Sequence, residues 1–153
     1  MIVSTFNVEE IEDPPSRWFD EVQVTFSKIL EDPIFAQYAD NTQVSVVFIH
    51  DPAMKHLNLH YRGKNSTTDV LSFSLNEKLP DEYLLGEIII SIDKAKTDAN
   101  SFGISLLQEV ILLLVHGVTH LLGYDHKDDL QELEMKKIED RLLSLSLVTE
   151  GAH

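Results

Sequence analysis

Three histidines towards the carboxyl end of the chain have the spacing of metal ligands. His116 and His120 are four residues apart, and His126 follows six residues later. Side chains four apart in a helix lie one turn above each other on the same face, so both imidazoles can reach one ion. Gly123 lies between the second and third histidines, and a turn there would let His126 approach the same ion. The spacing therefore predicts a metal site.

The donor set indicates the kind of site. Three neutral imidazoles leave a fourth coordination position for water, which is how catalytic zinc sites are built. The chain has no cysteine, which excludes thiolate ligands, a disulfide framework and a cysteine nucleophile. The alternative interpretation is that His116 and His120 are ordinary core or surface histidines with hydrogen-bond partners. Burying two imidazoles on an apolar helix would then cost free energy without a purpose.

The helix that carries the first two histidines is the most apolar of the chain. It is predicted to span residues 106–122, with a capping box at Ser105 and Gln108 and a stop at Gly123. It is hydrophobic almost all round, so we expect it to be the central, buried helix.

The remaining pattern predicts the frame around that helix. Strands are expected at residues 2–8, 43–50, 69–75 and 84–92, and further helices at 17–30 (capped by Ser16), from 51 to about 63, from 92 to about 100, and at 128–145. The order predicts an α+β fold: a mixed four-stranded sheet packed against about five helices, with the metal site on the central buried helix. At 153 residues we expect a single domain, 1–153.

The short helix after residue 50 is predicted in more detail. Asp51 is expected to be its N-cap, followed by a proline in the first turn. Met54, Leu57 and Tyr61 are expected to form its apolar positions, and Gly63 to end it.

The charge argues against indiscriminate nucleic-acid binding. With 12 Lys and Arg against 26 Asp and Glu, the formal net charge is −14, and an anionic protein repels polyanions at long range. Residues 52–68 nevertheless contain no acid, while Lys55, Arg62 and Lys64 lie among them. This window is either a solvated face or a rim that contacts phosphate.

No membrane segment is predicted. The longest stretch without Asp, Glu, Lys or Arg, residues 110–124, is 15 residues long, short of the roughly 20 apolar residues that a span requires. The amino-terminal residues lack the features of an export signal. We expect a soluble, cytoplasmic protein without a membrane partner.

Residues 116–126 resemble the zinc-binding helix of metzincin proteases, with one departure. Those enzymes have a glutamate as general base directly after the first histidine, where this chain has Gly117. Without that carboxylate, hydrolysis of another kind of bond is favoured over proteolysis.

Two blocks of sequence resemble the YbeY-type endoribonucleases more closely. Residues 116–126 match every fixed position of the family pattern H-G-x-x-H-L-x-G-Y-D-H. Residues 57–64 (LNLHYRGK) and 68–73 (TDVLSF) match a second block, and Gly86-Glu87 is similar to a third, usually Gly-Asp. Thr67 departs from the family, which usually has proline there. The resemblance extends over about residues 43–140.

The resemblance implies a function. It implies a metal-dependent, single-strand-specific endoribonuclease that acts in maturation of the 16S rRNA 3′ end and in ribosome quality control. His116, His120 and His126 would hold one Zn²⁺ per chain, or another divalent transition metal, with His116 also counted as catalytic. Arg62 would be the functional arginine. The implied partners are single-stranded RNA and the small ribosomal subunit or an associated assembly protein, with no DNA and no membrane.

That chemistry agrees with the residues themselves. Phosphodiester cleavage gathers negative charge on non-bridging oxygens, which a metal ion and a guanidinium can stabilise. Two alternatives stay open: a zinc hydrolase of peptides or other small substrates, and a non-catalytic ribosome-assembly factor with a structural metal.

Weaker candidates surround these residues. His60 could donate a proton to the leaving oxygen, although a surface histidine is the better interpretation. Thr68 and Ser72 could bond a phosphate, but such hydroxyls more often satisfy backbone groups. Asp125 could orient a ligand imidazole or cap the turn.

Overall fold

The computed structural model describes residues 2–8 and 17–151, and the side chains of residues 18–146. The predicted cap at Ser16 lies outside these residues. The strands are β1 (Ile2–Val8), β2 (Thr42–Ile49), β3 (Val70–Lys78) and β4 (Tyr83–Ser91). The helices are α1 (Arg17–Ile29), α2 (Asp51–Arg62), α3 (Ile92–Phe102), α4 (Leu106–Leu121) and α5 (Asp129–Gly151). A 3₁₀ turn at Pro33–Phe35, which the sequence pattern did not indicate, follows α1.

The strands form one mixed sheet in the order β1-β2-β4-β3. β2 runs parallel to both β1 and β4, while β3 is antiparallel to β4. The predicted α+β class and the mixed sheet are confirmed. Val46 on β2 lies opposite Ile88 on β4, and both side chains are fully buried, as expected for β-branched residues on a covered sheet face.

Helix α4 occupies the centre of the molecule. It contacts α1, α3 and α5 as well as strands β3 and β4, and Val110, Leu114 and Val118 on it are fully buried. Its capping box is formed as predicted, with Ser105 and Gln108 each bonding the other's backbone N–H. Burial of each large aliphatic side chain stabilises the fold by about 1.5–3 kcal/mol. The histidine-bearing helix is therefore a rigid part of the core.

Two glycines let α4 lie directly on the sheet. A Cβ atom at Gly117 would lie 2.9 Å from Ile88 Cγ2 and 3.0 Å from Ser72 Oγ. A Cβ atom at Gly86 on β4 would lie 2.5 Å from Cδ2 of Leu121 on α4 and 2.5 Å from the backbone oxygen of Phe73 on β3. Neither position has room for a side chain, since packed atoms do not approach so closely.

An ion pair joins helix α5 to the 3₁₀ turn that follows α1. Arg141 places its Nη2 3.0 Å from Oδ1 of Asp32 and its Nε 3.1 Å from Oδ2 of the same carboxylate. Asp32 is buried and also caps the 3₁₀ turn through a 2.9 Å bond from the N–H of Ile34. Because two nitrogens of Arg141 contact the two oxygens of one carboxylate, the contact holds α5 in place against the segment that follows α1.

Helix α2 differs from its prediction in two respects. His50, not Asp51, occupies the N-cap, because Asp51 is already the first helical residue. The Asp51 carboxylate instead accepts hydrogen bonds from the hydroxyls of Thr67 and Ser91, which ties α2 to the sheet. Tyr61, predicted to be an apolar packing position, is 59% exposed.

Among the described residues, no single helix has both the length and the apolar character needed to cross a membrane. Helices α3 and α4 have the length and composition of a span only when they are taken together, and the pair is bent by 114° at the break between them.

Candidate active site

The predicted site residues lie around one open cleft of about 790 Å³. Arg62, His116, His120 and His126 all line it. The cleft is formed where the carboxyl ends of α2 and α4 meet strand β3 and the segment that follows α4. Residues from three separate parts of the chain thus face a common space.

The three imidazoles are close together. The ring centroids of His116 and His120 are 4.7 Å apart, those of His120 and His126 are 5.5 Å apart, and those of His116 and His126 are 6.2 Å apart. Rings that bind one zinc ion tetrahedrally, at 2.0–2.1 Å through nitrogen, would have centroids about 5 Å apart. In their present orientations, no three His, Asp or Glu side chains of the described part of the chain form a group that could hold an ion. The distances between the rings are close to those of rings that share one ion. The side chains themselves do not form a completed metal site in the structure described.

Hydrogen-bond partners determine which nitrogen of each ring faces outward. His120 Nδ1 lies 3.1 Å from the backbone oxygen of Tyr124, and His116 Nδ1 lies 3.4 Å from Oε1 of Glu139. Carbonyl and carboxylate oxygens only accept, so we assign the proton of both rings to Nδ1. The Nε2 lone pairs are then left for an external ligand. A metal-binding histidine usually has this arrangement, with its other nitrogen bonded to a protein oxygen.

The surroundings affect the protonation of these groups in different ways. The hydrogen bond to the Glu139 carboxylate raises the pKa of His116. Burial, helped by the neighbouring His116, lowers the pKa of His120, which favours the neutral form that binds metals. The backbone N–H of His126, 2.7 Å from Asp125 Oδ1, lowers the pKa of Asp125.

A reversal of the chain at Gly123 brings the third histidine back. Gly123 has φ = +100°, a conformation that residues with a Cβ rarely adopt. Its N–H donates to the backbone oxygen of His120 at 2.9 Å. The predicted turn at this glycine is confirmed. Asp125 Oδ1 caps the turn by accepting the backbone N–H of His126 and lies 3.7 Å from Nδ1 of that ring, too far for a hydrogen bond.

Arg62 faces the histidines from the last turn of α2. Gly63, with φ = +69°, ends the helix directly after it. Among the residues that the structure describes, no carboxylate forms an ion pair with Arg62, so its guanidinium is available to an anionic ligand. Thr68 and Ser72 line the cleft, whereas Lys55, His60 and Lys64 do not.

Two carboxylates near the site were not found from the sequence. Glu139 lies 23 residues after His116 on another helix, and no local spacing indicates their contact. Asp69 lines the cleft and contributes to the raised pKa of His116. It belongs to the TDVLSF block, a signal that could have singled it out.

The fold and the cleft together define a class of protein. It is an α+β enzyme whose cleft is lined by three imidazoles and one guanidinium. The chain matches the model of the family described as endoribonuclease YbeY over residues 9–146. The chain therefore belongs to the endoribonuclease YbeY family, and the predicted class of enzyme, an endoribonuclease, is confirmed.

Individual relatives agree with this assignment. A protein of Moorella thermoacetica named endoribonuclease YbeY is 39% identical over 135 residues, which cover 82% of this chain and 86% of that protein. One of the same name from Syntrophomonas wolfei is 40% identical over 112 residues, covering 67% of this chain and 72% of the relative. The solution structure of TM1509 from Thermotoga maritima is similar in fold, with a TM-score of 0.64 and 23% identity over 99% of this chain and 93% of that one.

Proposed function

We propose that this chain is a metal-dependent endoribonuclease that cleaves single-stranded RNA in the cytoplasm, acting in maturation of the 16S rRNA 3′ end and in ribosome quality control. The observation that carries the proposal is the position of Arg62 across one cleft from three clustered imidazoles. Membership of the endoribonuclease YbeY family supports the RNA substrate.

His116, His120 and His126 are the residues that would hold the ion, His116 and His120 through Nε2, and the donor set favours Zn²⁺. A bound ion would supply Lewis acidity and an activated water at neutral pH. Glu139 and the backbone oxygen of Tyr124 keep two of the rings in the required tautomer.

The fixed charges of the cleft explain why a cation would be required. Besides the imidazoles, its lining includes one guanidinium, Arg62, and two carboxylates, Asp69 and Asp125. Without a cation these charges do not favour a phosphate. A divalent ion held there would reverse the balance. Arg62 can form two parallel hydrogen bonds to non-bridging oxygens of the scissile phosphate.

The alternatives fit less well. A protease of the metzincin type needs a carboxylate at position 117, but the contacts of Gly117 with Ile88 and Ser72 leave no room for one. A structural metal needs a fourth protein ligand, and Asp125, directly before His126 in sequence, is poorly placed to bind the same ion together with it.

A cleavage assay tests the proposal. Metal-loaded protein is incubated with single-stranded RNA, double-stranded RNA and casein, beside His116→Ala and Arg62→Glu variants. We expect cleavage of the single strand only, with a loss of at least a hundredfold in both variants. Lys64→Glu is the matched control, because it makes the same charge reversal two residues away and outside the cleft. It should retain activity within about threefold.

Elemental analysis gives a second readout. Protein purified without chelator should carry about one transition metal ion per chain, and His116→Ala should carry much less. Equal RNA cleavage by the wild type and by both site variants would refute the proposal, since the activity would then come from a contaminant.

A further inference from the structure

We propose that the ring of Tyr61 is a stacking subsite for one unpaired base of the RNA, next to the phosphate held by Arg62. This inference rests on the proposed function and adds to it a contact with the base. It assigns single-strand preference to a particular side chain.

The exposure of Tyr61 is the first observation. It was expected to be one of the apolar positions of α2, yet it is 59% exposed and lines the same cleft as Arg62 and the histidines. An aromatic ring left in water forgoes the free energy that burial would provide. A ring in such a position is well suited to a ligand that covers it.

The second observation is that the ring is held in place. Its centroid lies 5.0 Å from that of Phe73 on β3, at an interplanar angle of 61°. On its own helix it lies 4.6 Å from the ring of His60, at 89°. These edge-to-face contacts orient Tyr61 without covering it, so little conformational entropy is lost when a base stacks on it.

The chemistry next to the ring identifies the ligand as a nucleotide. Arg62 follows directly in sequence, and a guanidinium binds phosphate. A nucleotide has a phosphate and a flat aromatic face within one residue, so it can contact both groups together. Every base has such a face, and in a duplex it is covered by neighbouring bases. The subsite would therefore accept unpaired bases of any sequence.

The surroundings do not favour a protein partner at the same ring. Leu59, another apolar residue of α2, is 46% exposed, but it lies two residues earlier and therefore roughly 200° round the helix. Leu59 does not line the cleft. Tyr61 is thus bordered by Arg62 on the cleft side and not by a continuous apolar patch with Leu59.

The test is a binding measurement with abasic RNA. A short single-stranded RNA and a set of copies, each with one abasic nucleotide at a different position, are titrated with metal-loaded protein under conditions in which a gel shows no cleavage. We expect Tyr61→Leu to bind the intact RNA about tenfold more weakly than the wild type, and Tyr61→Phe within about twofold. With the abasic nucleotide at the stacked position, wild type and Tyr61→Leu should bind equally.

Leu59→Ala is the control, as an exposed apolar residue of the same helix outside the cleft, and thermal unfolding shows that each variant is folded. The inference is overturned if Tyr61→Leu binds intact RNA as the wild type does. It is also overturned if the defect of Tyr61→Leu is the same at every abasic position, because the role of Tyr61 would then be structural. Wild-type protein that binds none of these RNAs would overturn the proposed function as well, whereas normal cleavage with an unaffected Tyr61→Leu rejects the stacking subsite alone.

Discussion

The contact between Glu139 and His116 shows how a single carboxylate could prepare an imidazole for the proposed metal ion. Its Oε1 lies 3.4 Å from Nδ1 of the ring and keeps the proton on that nitrogen, which leaves Nε2 for an ion. Such carboxylates orient the ring and make it a better donor. The contact is thus expected to matter for metal affinity more than for folding.

Glu139→Gln should weaken metal binding by about tenfold, because a neutral amide is a poorer acceptor for the Nδ1 proton. Competition with a chromogenic chelator measures the affinity. Glu134→Gln, an exposed substitution on the same helix, makes the same change of charge and should bind the metal as the wild type does. Equal affinities for the two variants would show that Glu139 does not support His116.

Burial of the Glu109 carboxylate in the core costs the fold free energy. It is buried on α4, and its Oε2 has no hydrogen-bond partner among the described residues. Burial, with the nearby Asp98 and Asp69 carboxylates, raises its pKa, and Lys94 opposes this only in part. The folded protein therefore binds this proton more tightly than the unfolded chain does.

A pH-dependent stability follows from that shift. The contribution of Glu109 is most favourable below the ordinary glutamate pKa and is lost as the pH rises through the raised value. Glu109→Gln should unfold at a higher temperature than the wild type at pH 7–8, with a gain on the order of 1 kcal/mol, and the gain should shrink towards pH 4. Thermal unfolding across this range is the measurement. A variant that is less stable at pH 8 would contradict it.

At the scale of helices and strands, the site depends on how closely α4 approaches the sheet. Gly117 lies beside the first histidine and touches Ile88 and Ser72 with no space for a methyl group. The same close packing explains why the chain lacks the glutamate of the metzincin pattern. A carboxylate there would displace the helix that positions His116 and His120.

Gly117→Ala should destabilise the protein by about 1–3 kcal/mol, because the added methyl group overpacks the interface between α4 and β4. Chemical denaturation measures the loss. In the double variant Gly117→Ala with Ile88→Ala, the loss should be smaller than the sum of the two single losses, since the methyl group then occupies part of the vacated space. Strict additivity would mean that the two positions do not compete for space.

The elements differ in how far the sequence could predict them. The closeness of His116 and His120 follows from helical periodicity, and the turn that brings His126 towards them follows from Gly123. Local sequence rules were therefore sufficient to predict that the three histidines lie together. The contact of Glu139 with His116 joins two helices across 23 residues, and no local signal encodes it. The exposure of Tyr61 was not predicted, because helical spacing indicates which residues share a face but not whether another element covers that face.

At the scale of the whole molecule, a net charge of −14 opposes any RNA that approaches. Attraction must then be local to the cleft, where Arg62 and the bound cation would offset Asp69 and Asp125. We therefore propose that the chain relies on docking to the small ribosomal subunit or an assembly protein for its choice of RNA. Weak intrinsic affinity that falls as salt increases is the expected behaviour of the isolated protein.

Removal of the metal tests this balance. Protein stripped with chelator should bind single-stranded RNA at least tenfold more weakly than metal-loaded protein, because the cleft then lacks its main positive charge. Fluorescence anisotropy at several salt concentrations measures both the affinity and its salt slope. Readdition of Zn²⁺ should restore binding, which controls for irreversible damage. Nanomolar affinity that neither metal nor salt changes would contradict this account.

The dependence of His116 on α5 also affects events during synthesis. The helix is anchored by Arg141 on Asp32, and it supplies Glu139 only after most of the chain has been made. A nascent polypeptide from which α5 has not yet emerged would lack both the Arg141–Asp32 contact and the Glu139 partner of His116. We expect such a chain to bind the metal more weakly than the folded protein, so that full affinity would develop only once α5 has packed.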